Sequence, residues 1–248
     1  MSVQVGLPTA EEFGLLPRHL ALILDGNRRW AKSRGLTASE GHRAGFSRVP
    51  EVLAWCANLG IETVTLWLLS TDNLRRDPAE VNALTRIITD LVEDLATSDR
   101  WRLRHTGVRE KLPKGLRVVL DAAAASTAQN TVMQVNLAIC YGGREEVTDA
   151  FRALLDRYAR DGLSPAEAAH RITSEAVSQV ITGGDPAPEL MVRTSGEQRS
   201  SGFLLWTATH TEQFFTTTYW PDFGPDDLKA ALTHYERNRG RFRATSDA

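Results

Sequence analysis

Four short runs gather the residue types that hold anions and metal ions. They are Asp25-Gly-Asn-Arg-Arg29, Ser70-Thr-Asp-Asn-Leu-Arg-Arg76, Tyr141-Gly-Gly-Arg144 and Arg193-Thr-Ser-Gly-Glu-Gln-Arg-Ser-Ser201. Gly26 lets backbone approach a ligand closely, and exposed N–H groups where a loop becomes a helix favour anions. Arg28, Arg29, Arg193 and Arg199 add forked donors that match phosphate oxygens. Asp25 is a carboxylate set among these cations, suited to a divalent metal that also touches phosphate. The pattern suggests two anionic subsites and one metal. Neither GxxxxGK[ST] nor GxGxxG occurs, so a nucleotide P-loop and a dinucleotide site lose their main support. Taken singly, each run also reads as an ordinary turn, and a surface arginine is commonly solvated. Four such runs at successive strand ends are harder to explain that way.

The segments before these runs must position them. His19-Leu-Ala-Leu-Ile-Leu24 is continuously apolar, which predicts a strand covered on both faces, as in parallel sheets. Glu62 to Leu69, Trp101 to Thr106, Thr131 to Ile139 and Glu189 to Arg193 read as further strands. Apolar positions recur at helical spacing over 41–58, 78–95, 115–125, 145–160 and 165–179, and from Pro225 to about Asn238, after which a basic tail follows. Phe203 to Trp206 and Gln213 to Trp220 read as strand or irregular core pieces. In such an alternation ligands bind beyond the carboxyl ends of the strands, where the four runs fall.

Composition sets the outer limits. The chain has 248 residues, 42% hydrophobic and 24% charged, with a formal net charge of −2. That argues against disorder and against non-specific nucleic-acid binding. Of its 29 basic residues 25 are arginine, and this excess fits codon bias as well as phosphate recognition. Cys56 and Cys140 lie in apolar segments without metal-ligand spacing and read as buried thiols of a reducing compartment. The first apolar stretch is interrupted by Pro17, Arg18 and His19, which predicts neither a signal peptide nor a membrane span. A cytoplasmic protein without stable membrane insertion is expected.

Seven stretches together resemble the cis-prenyltransferases, the undecaprenyl diphosphate synthase family. These are Leu24-Asp-Gly-Asn-Arg-Arg-Trp-Ala31, Gly41-His-Arg-Ala-Gly45, Ser70 to Asn73, Tyr141-Gly-Gly-Arg-Glu-Glu146, Arg193 to Arg199, Gly202-Phe-Leu-Leu-Trp206 and Trp220-Pro-Asp-Phe223. The resemblance runs from about Pro17 to Phe242 in the family's order. It implies a single α/β domain over 17–243 behind a flexible arm (1–16), with a largely parallel central sheet flanked by helices. It also implies a hydrophobic substrate tunnel and a homodimer formed by the later helices and the region near Glu189 to Trp220. The implied reaction joins an allylic diphosphate to a five-carbon diphosphate, isopentenyl or dimethylallyl, with Mg²⁺.

By the same resemblance, Asp25 and Glu212 hold the metal, and Gly26, Asn27, Arg28 and Arg29 cradle the allylic diphosphate with His42. Trp30 is the aromatic beside that loop. Ser70, Thr71, Asp72, Asn73 and Arg76 cover the reacting centre. Arg193, Arg199, Ser200 and Ser201 hold the isopentenyl diphosphate. Asn73 stands at the position associated with proton removal; an amide is a poor base, so a positioning role is expected, with a diphosphate oxygen taking the proton.

Leu68 occupies a tunnel position that is small in long-chain members, and Leu74 replaces the usual Trp. Both resemble the short-chain, Z-farnesyl-type actinobacterial branch. Three departures touch the subsites: Ala38 stands for an arginine, Gln198 for a histidine found in some members, and Thr207-Ala-Thr-His210 for the usual run before Glu212. They keep open a head-to-middle, lavandulyl-type union of two allylic units, with His210 as a candidate for altered deprotonation. A non-catalytic partner subunit is a third reading, opposed by the retention of Asp25, Arg29, Arg193, Arg199 and Glu212.

Overall fold

The run from His19 to Leu24 is buried along its whole length and forms the middle of the sheet. The computed structural model describes residues 7–246, with side chains as far as residue 239. Residues 1–6 of the expected arm lie outside the described residues, and Phe13, Leu15 and Leu16 pack against the core. The strands are β1 (His19–Ile23), β2 (Thr63–Ser70), β3 (Trp101–Thr106), β4 (Met133–Tyr141), β5 (Leu190–Arg193) and β6 (Glu212–Phe215). They form one six-stranded sheet in the order β3-β4-β2-β1-β5-β6, and every pairing is parallel.

Helices cover both faces. One face carries α1 (Asn27–Ser33), α2 (Ala38–Ser47), α3 (Val49–Asn58), α4 (Pro78–Thr97), α5 (Lys114–Ser126) and α9 (Pro225–Ser246) around the larger core. The other carries α6 (Gly143–Arg160), α7 (Pro165–Arg171) and α8 (Ser174–Thr182). Chain connections run from β1 towards β2 on one side, while β5 and β6 lie on the other. The strand order therefore reverses between β1 and β5, which opens a crevice at their carboxyl ends.

Several boundaries differ from the sequence expectation. The pattern over 41–58 is two helices, because Pro50 in the first turn of α3 has no N–H to continue α2. The pattern over 165–179 is also two, since the Thr173 hydroxyl accepts from Ala176 N–H and starts α8 afresh. Residues 201–206 are turns, and α9 continues beyond Asn238 to Ser246.

One irregularity shapes the site. Trp67 and Leu69 of β2 face Ala138 and Ile139 of β4, which leaves Leu68 as an extra residue in the ladder. Ser70 then faces Tyr141, so Cys140 is the extra residue on β4, with φ +55°. These paired bulges re-aim Leu68 without shifting the register on either side.

Candidate functional site

A cavity of about 900 Å³ opens at the carboxyl ends of β1, β2 and β5. Its mouth is polar, with Asp25, Gly26, Asn27, Arg28, Arg29, Lys32, His42, Ser70, Asp72, Asn73, Arg76, Arg193 and Ser201 in the wall. Its depth is apolar, walled by Ile23, Leu24, Trp67, Leu68, Leu69 and Leu84. A charged mouth leading to an apolar interior fits a ligand with an anionic head and a hydrocarbon tail.

Asp25 and Arg193 meet at the sheet's switch point. Arg193 Nη2 donates to Asp25 Oδ2 at 2.8 Å, and its Nη1 donates to the Arg199 carbonyl at 2.6 Å and to Ser201 Oγ at 2.7 Å. The Arg193 guanidinium therefore ties β1 to the loop after β5. Its Nε is buried and has no partner. Arg29 Nη2 approaches Asp25 Oδ1 at 3.3 Å and donates to Ser195 Oγ at 2.6 Å. Burial pushes the Asp25 carboxyl up, but Arg193, Ser195 and Arg29 together outweigh it and hold the group below its ordinary value. Gly26 sits at φ +105°, where a Cβ would lie 2.6 Å from Tyr219 Cδ1, so this tight turn requires glycine.

A second group faces it across the mouth. Arg28 and Arg76 line the cavity and both approach Glu80, while His42 is buried with neither ring nitrogen hydrogen-bonded. Burial, reinforced by the Arg76 and Arg28 charges, lowers the His42 pKa to about 4, so the ring is neutral at pH 7. Asn73 Oδ1 accepts from Ser70 N–H at 3.2 Å and Ser70 Oγ accepts from Asn73 N–H at 3.1 Å. This reciprocal pair fixes the Asn73 amide in the cavity wall.

Other expected site residues fall elsewhere. Trp30 donates its indole N–H to Asp222 at 2.8 Å and stacks under Arg34, so it anchors α1 outside the cavity wall. Thr71 turns its hydroxyl towards Gly142. Leu74 packs against the large core and is absent from the cavity wall, so it does not line the tunnel as expected. Ser200 contributes a carbonyl to the turn at Phe203. Arg199 is largely exposed at the rim and pairs with Glu197, and Arg43 is exposed on α2. Ala38 is in the wall.

Within the single chain Glu212 and Asp25 lie apart. Leu190 pairs with both Leu20 and Glu212, so Glu212 lies level with the start of β1. Asp25 lies past the other end, roughly 15 Å ahead along the strand at the rise of a parallel sheet. Glu212 accepts instead from Asn238 at 3.1 Å. Among the described residues no group of three or more His, Cys, Asp or Glu is placed to hold a metal. Two carboxylates of the described residues line the cavity, Asp25 among the arginines and the more exposed Asp72. A carboxylate set among phosphate-binding arginines is a donor suited to a hard divalent cation. His210 is also remote and exposed beside Glu212, where its carbonyl accepts from Arg239, so it is not placed to take a proton in the cavity.

Sequence reasoning missed Ser195, Glu197 and Glu80. Ser195 and Glu197 lie inside the Arg193-Thr-Ser-Gly-Glu-Gln-Arg199 run, and that position was the available signal. Glu80 had none, because it lies in the first turn of α4, where an acidic residue is ordinary.

An α/β sheet that collects arginines and carboxylates at its switch point, above an apolar cavity, suits ligands with an anionic, phosphate-like head and a hydrocarbon tail. The undecaprenyl diphosphate synthase (prenyltransferase) family model matches residues 23–243, and the chain belongs to that family. It is 43% identical over 231 residues to the (2Z,6E)-farnesyl diphosphate synthase of Mycolicibacterium smegmatis, covering 92% of this chain and 88% of that protein. It is 42% identical over 245 residues to the short-chain Z-isoprenyl diphosphate synthase of Mycobacterium leprae, covering 98% and 93%. The crystal structure of lavandulyl diphosphate synthase from Lavandula x intermedia with dimethylallyl diphosphate superposes with a TM-score of 0.82 at 36% identity, covering 89% of this chain and 95% of that one. The chain is thus a cis-prenyltransferase in class. No helix among the described residues is long and apolar enough to cross a membrane.

Proposed function

We propose that this protein condenses a short allylic diphosphate with isopentenyl diphosphate, head to tail, and releases a short-chain Z-prenyl diphosphate. The observation that carries this reading is the cavity itself: two arginine clusters line its mouth, and Leu68 and Leu84 are part of its apolar wall. The names of the actinobacterial relatives support the product class.

In this reading Arg28, Arg29, Arg76 and His42 seat the allylic diphosphate, with Gly26 and Asn27 giving the backbone turn around it. Arg193, Ser201 and, from the rim, Arg199 seat the isopentenyl diphosphate. The two heads then lie side by side, which places the alkene of one next to the allylic carbon of the other. The arginines take up the charge that grows on the departing diphosphate. Asn73, held by Ser70, orients the five-carbon unit while a diphosphate oxygen accepts the proton lost on forming the new double bond. Asp25 would hold Mg²⁺, which when bound supplies further charge neutralisation on the leaving diphosphate. Each arginine now pairs with a protein carboxylate, so substrate phosphates take over donors that are already oriented.

A homodimer and a cytoplasmic location belong to the same reading. The first is supported by exposed Leu155 and Leu205 on the face that bears α6, and the second by two buried cysteines that form no disulfide.

The test is product analysis with dimethylallyl, geranyl and farnesyl diphosphates, each with and without isopentenyl diphosphate, in Mg²⁺ and in chelator. A short product that requires both isopentenyl diphosphate and Mg²⁺ is expected. A branched product from allylic diphosphate alone would establish the head-to-middle reaction instead. Absence of any product would favour the partner-subunit reading.

A further inference from the structure

Glu80 lies in the first turn of α4, and one of its oxygens faces three donors from three different parts of the chain. Oε1 is 3.1 Å from Arg76 Nη1, 3.6 Å from Arg28 Nε and 3.9 Å from His42 Nε2. The three donors line the cavity, whereas Glu80 does not, so its carboxylate stands behind them. Its side chain is 17% exposed, which leaves the charge poorly screened. Only the Arg76 contact is a hydrogen bond; the other two are longer and are held by charge or proximity.

The opposite half of the mouth is built the same way. There Asp25 and Glu197 stand against Arg29, Arg193 and Arg199. Each cluster therefore keeps one guanidinium in excess of its carboxylates, and Arg29 of the second cluster reaches the allylic seat as well.

We infer that Glu80 sets the affinity of the allylic seat: it cancels one of the two charges, those of Arg28 and Arg76, that stand there beside Arg29, and so keeps a bound diphosphate releasable. This rests on the reading of that part of the mouth as the allylic seat. A diphosphate meets Arg28, Arg76 and His42 from the cavity side, and the Glu80 carboxylate behind them repels it through a short, partly buried path. Without that repulsion substrate and product would both bind more tightly. Tighter product binding slows turnover wherever release is the slow step. Glu80 thus acts through the arginines it faces and is a positioning residue, not a catalytic one.

The experiment uses a non-reacting probe, dimethylallyl thiolodiphosphate, titrated calorimetrically into the wild type and into Glu80→Gln in chelator. Glu80→Gln is expected to lower the Kd about tenfold, the order given by one unit charge at such distances. Steady-state kinetics should show the allylic KM falling with kcat, and the isopentenyl KM moving less than about twofold. A role confined to holding the arginines in place would raise both the Kd and the allylic KM. An unchanged or higher Kd overturns the inference. Glu80→Ala removes the same charge and must shift the Kd the same way, which keeps the inference testable if the glutamine variant folds poorly. If the wild type itself fails to bind the probe, the allylic seat is wrong and the inference falls with it; binding without tightening removes the inference alone.

Discussion

Replacing Arg193 by lysine separates charge from geometry at the centre of the site. The side chain is 7% exposed, and its fork holds Asp25 on one side and the Arg199 carbonyl and Ser201 hydroxyl on the other. An ammonium is a point charge and can serve one side but not both. A hydrogen bond from a charged donor contributes about 1.5–3 kcal/mol, and losing one side sets the expected destabilisation near 2 kcal/mol. For a domain of this size that is a Tm lower by roughly 4–8 °C. The loop at 199–201 loses its tether to β1, so kcat/KM for isopentenyl diphosphate should fall about 30-fold, mostly through KM, with the allylic KM moving much less. The assay is steady-state kinetics with each substrate varied while the other saturates, beside thermal unfolding of both proteins. Wild-type kcat/KM in the lysine variant, within about threefold, would refute the claim that the fork rather than the charge organises this subsite.

Asp25→Ala should cut turnover by about 10³ while the fold and diphosphate binding survive, as measured by kinetics beside calorimetry; persistent activity would remove Asp25 from the metal site. Leu68→Ala enlarges the cavity at its apolar wall and should lengthen the product by at least one five-carbon unit, read by mass spectrometry, at a stability cost of about 2–3 kcal/mol. His42 has its pKa lowered from 6.5 to about 4 by burial first and Arg76 next. Its neutral form therefore supports the fold above pH 6.5, and that support is lost as the pH falls towards 4. Urea unfolding should show the wild type losing about 3 kcal/mol relative to His42→Gln across this window; parallel curves would contradict it.

The α/β class, the parallel sheet and the placing of polar runs at strand ends were legible in the order of residue types along the chain. Continuous apolar runs have no solvent face, and only strands covered on both sides bury them. Asp25, Gly26, Arg28, Arg29, Asn73, Arg76, Arg193 and Ser201 were legible because each lies within a short motif whose chemistry is local. Tertiary structure decided what depends on direction. Trp30, Thr71 and Leu74 lie within the same motifs, yet helix phase and turn geometry point them elsewhere. Leu68 lines the cavity at an irregularity in the β2–β4 pairing, which the apolar pattern of its own segment does not mark. Glu212 is remote because strand register, fixed by pairing with β5, puts it at the opposite end of the sheet from Asp25. Glu80 shows the converse: Arg76 reaches it from four residues away, but only the packing of α1 and α2 beside α4 brings Arg28 and His42 to the same carboxylate. Position along the chain fixes residue chemistry, whereas register and helix phase fix which groups meet.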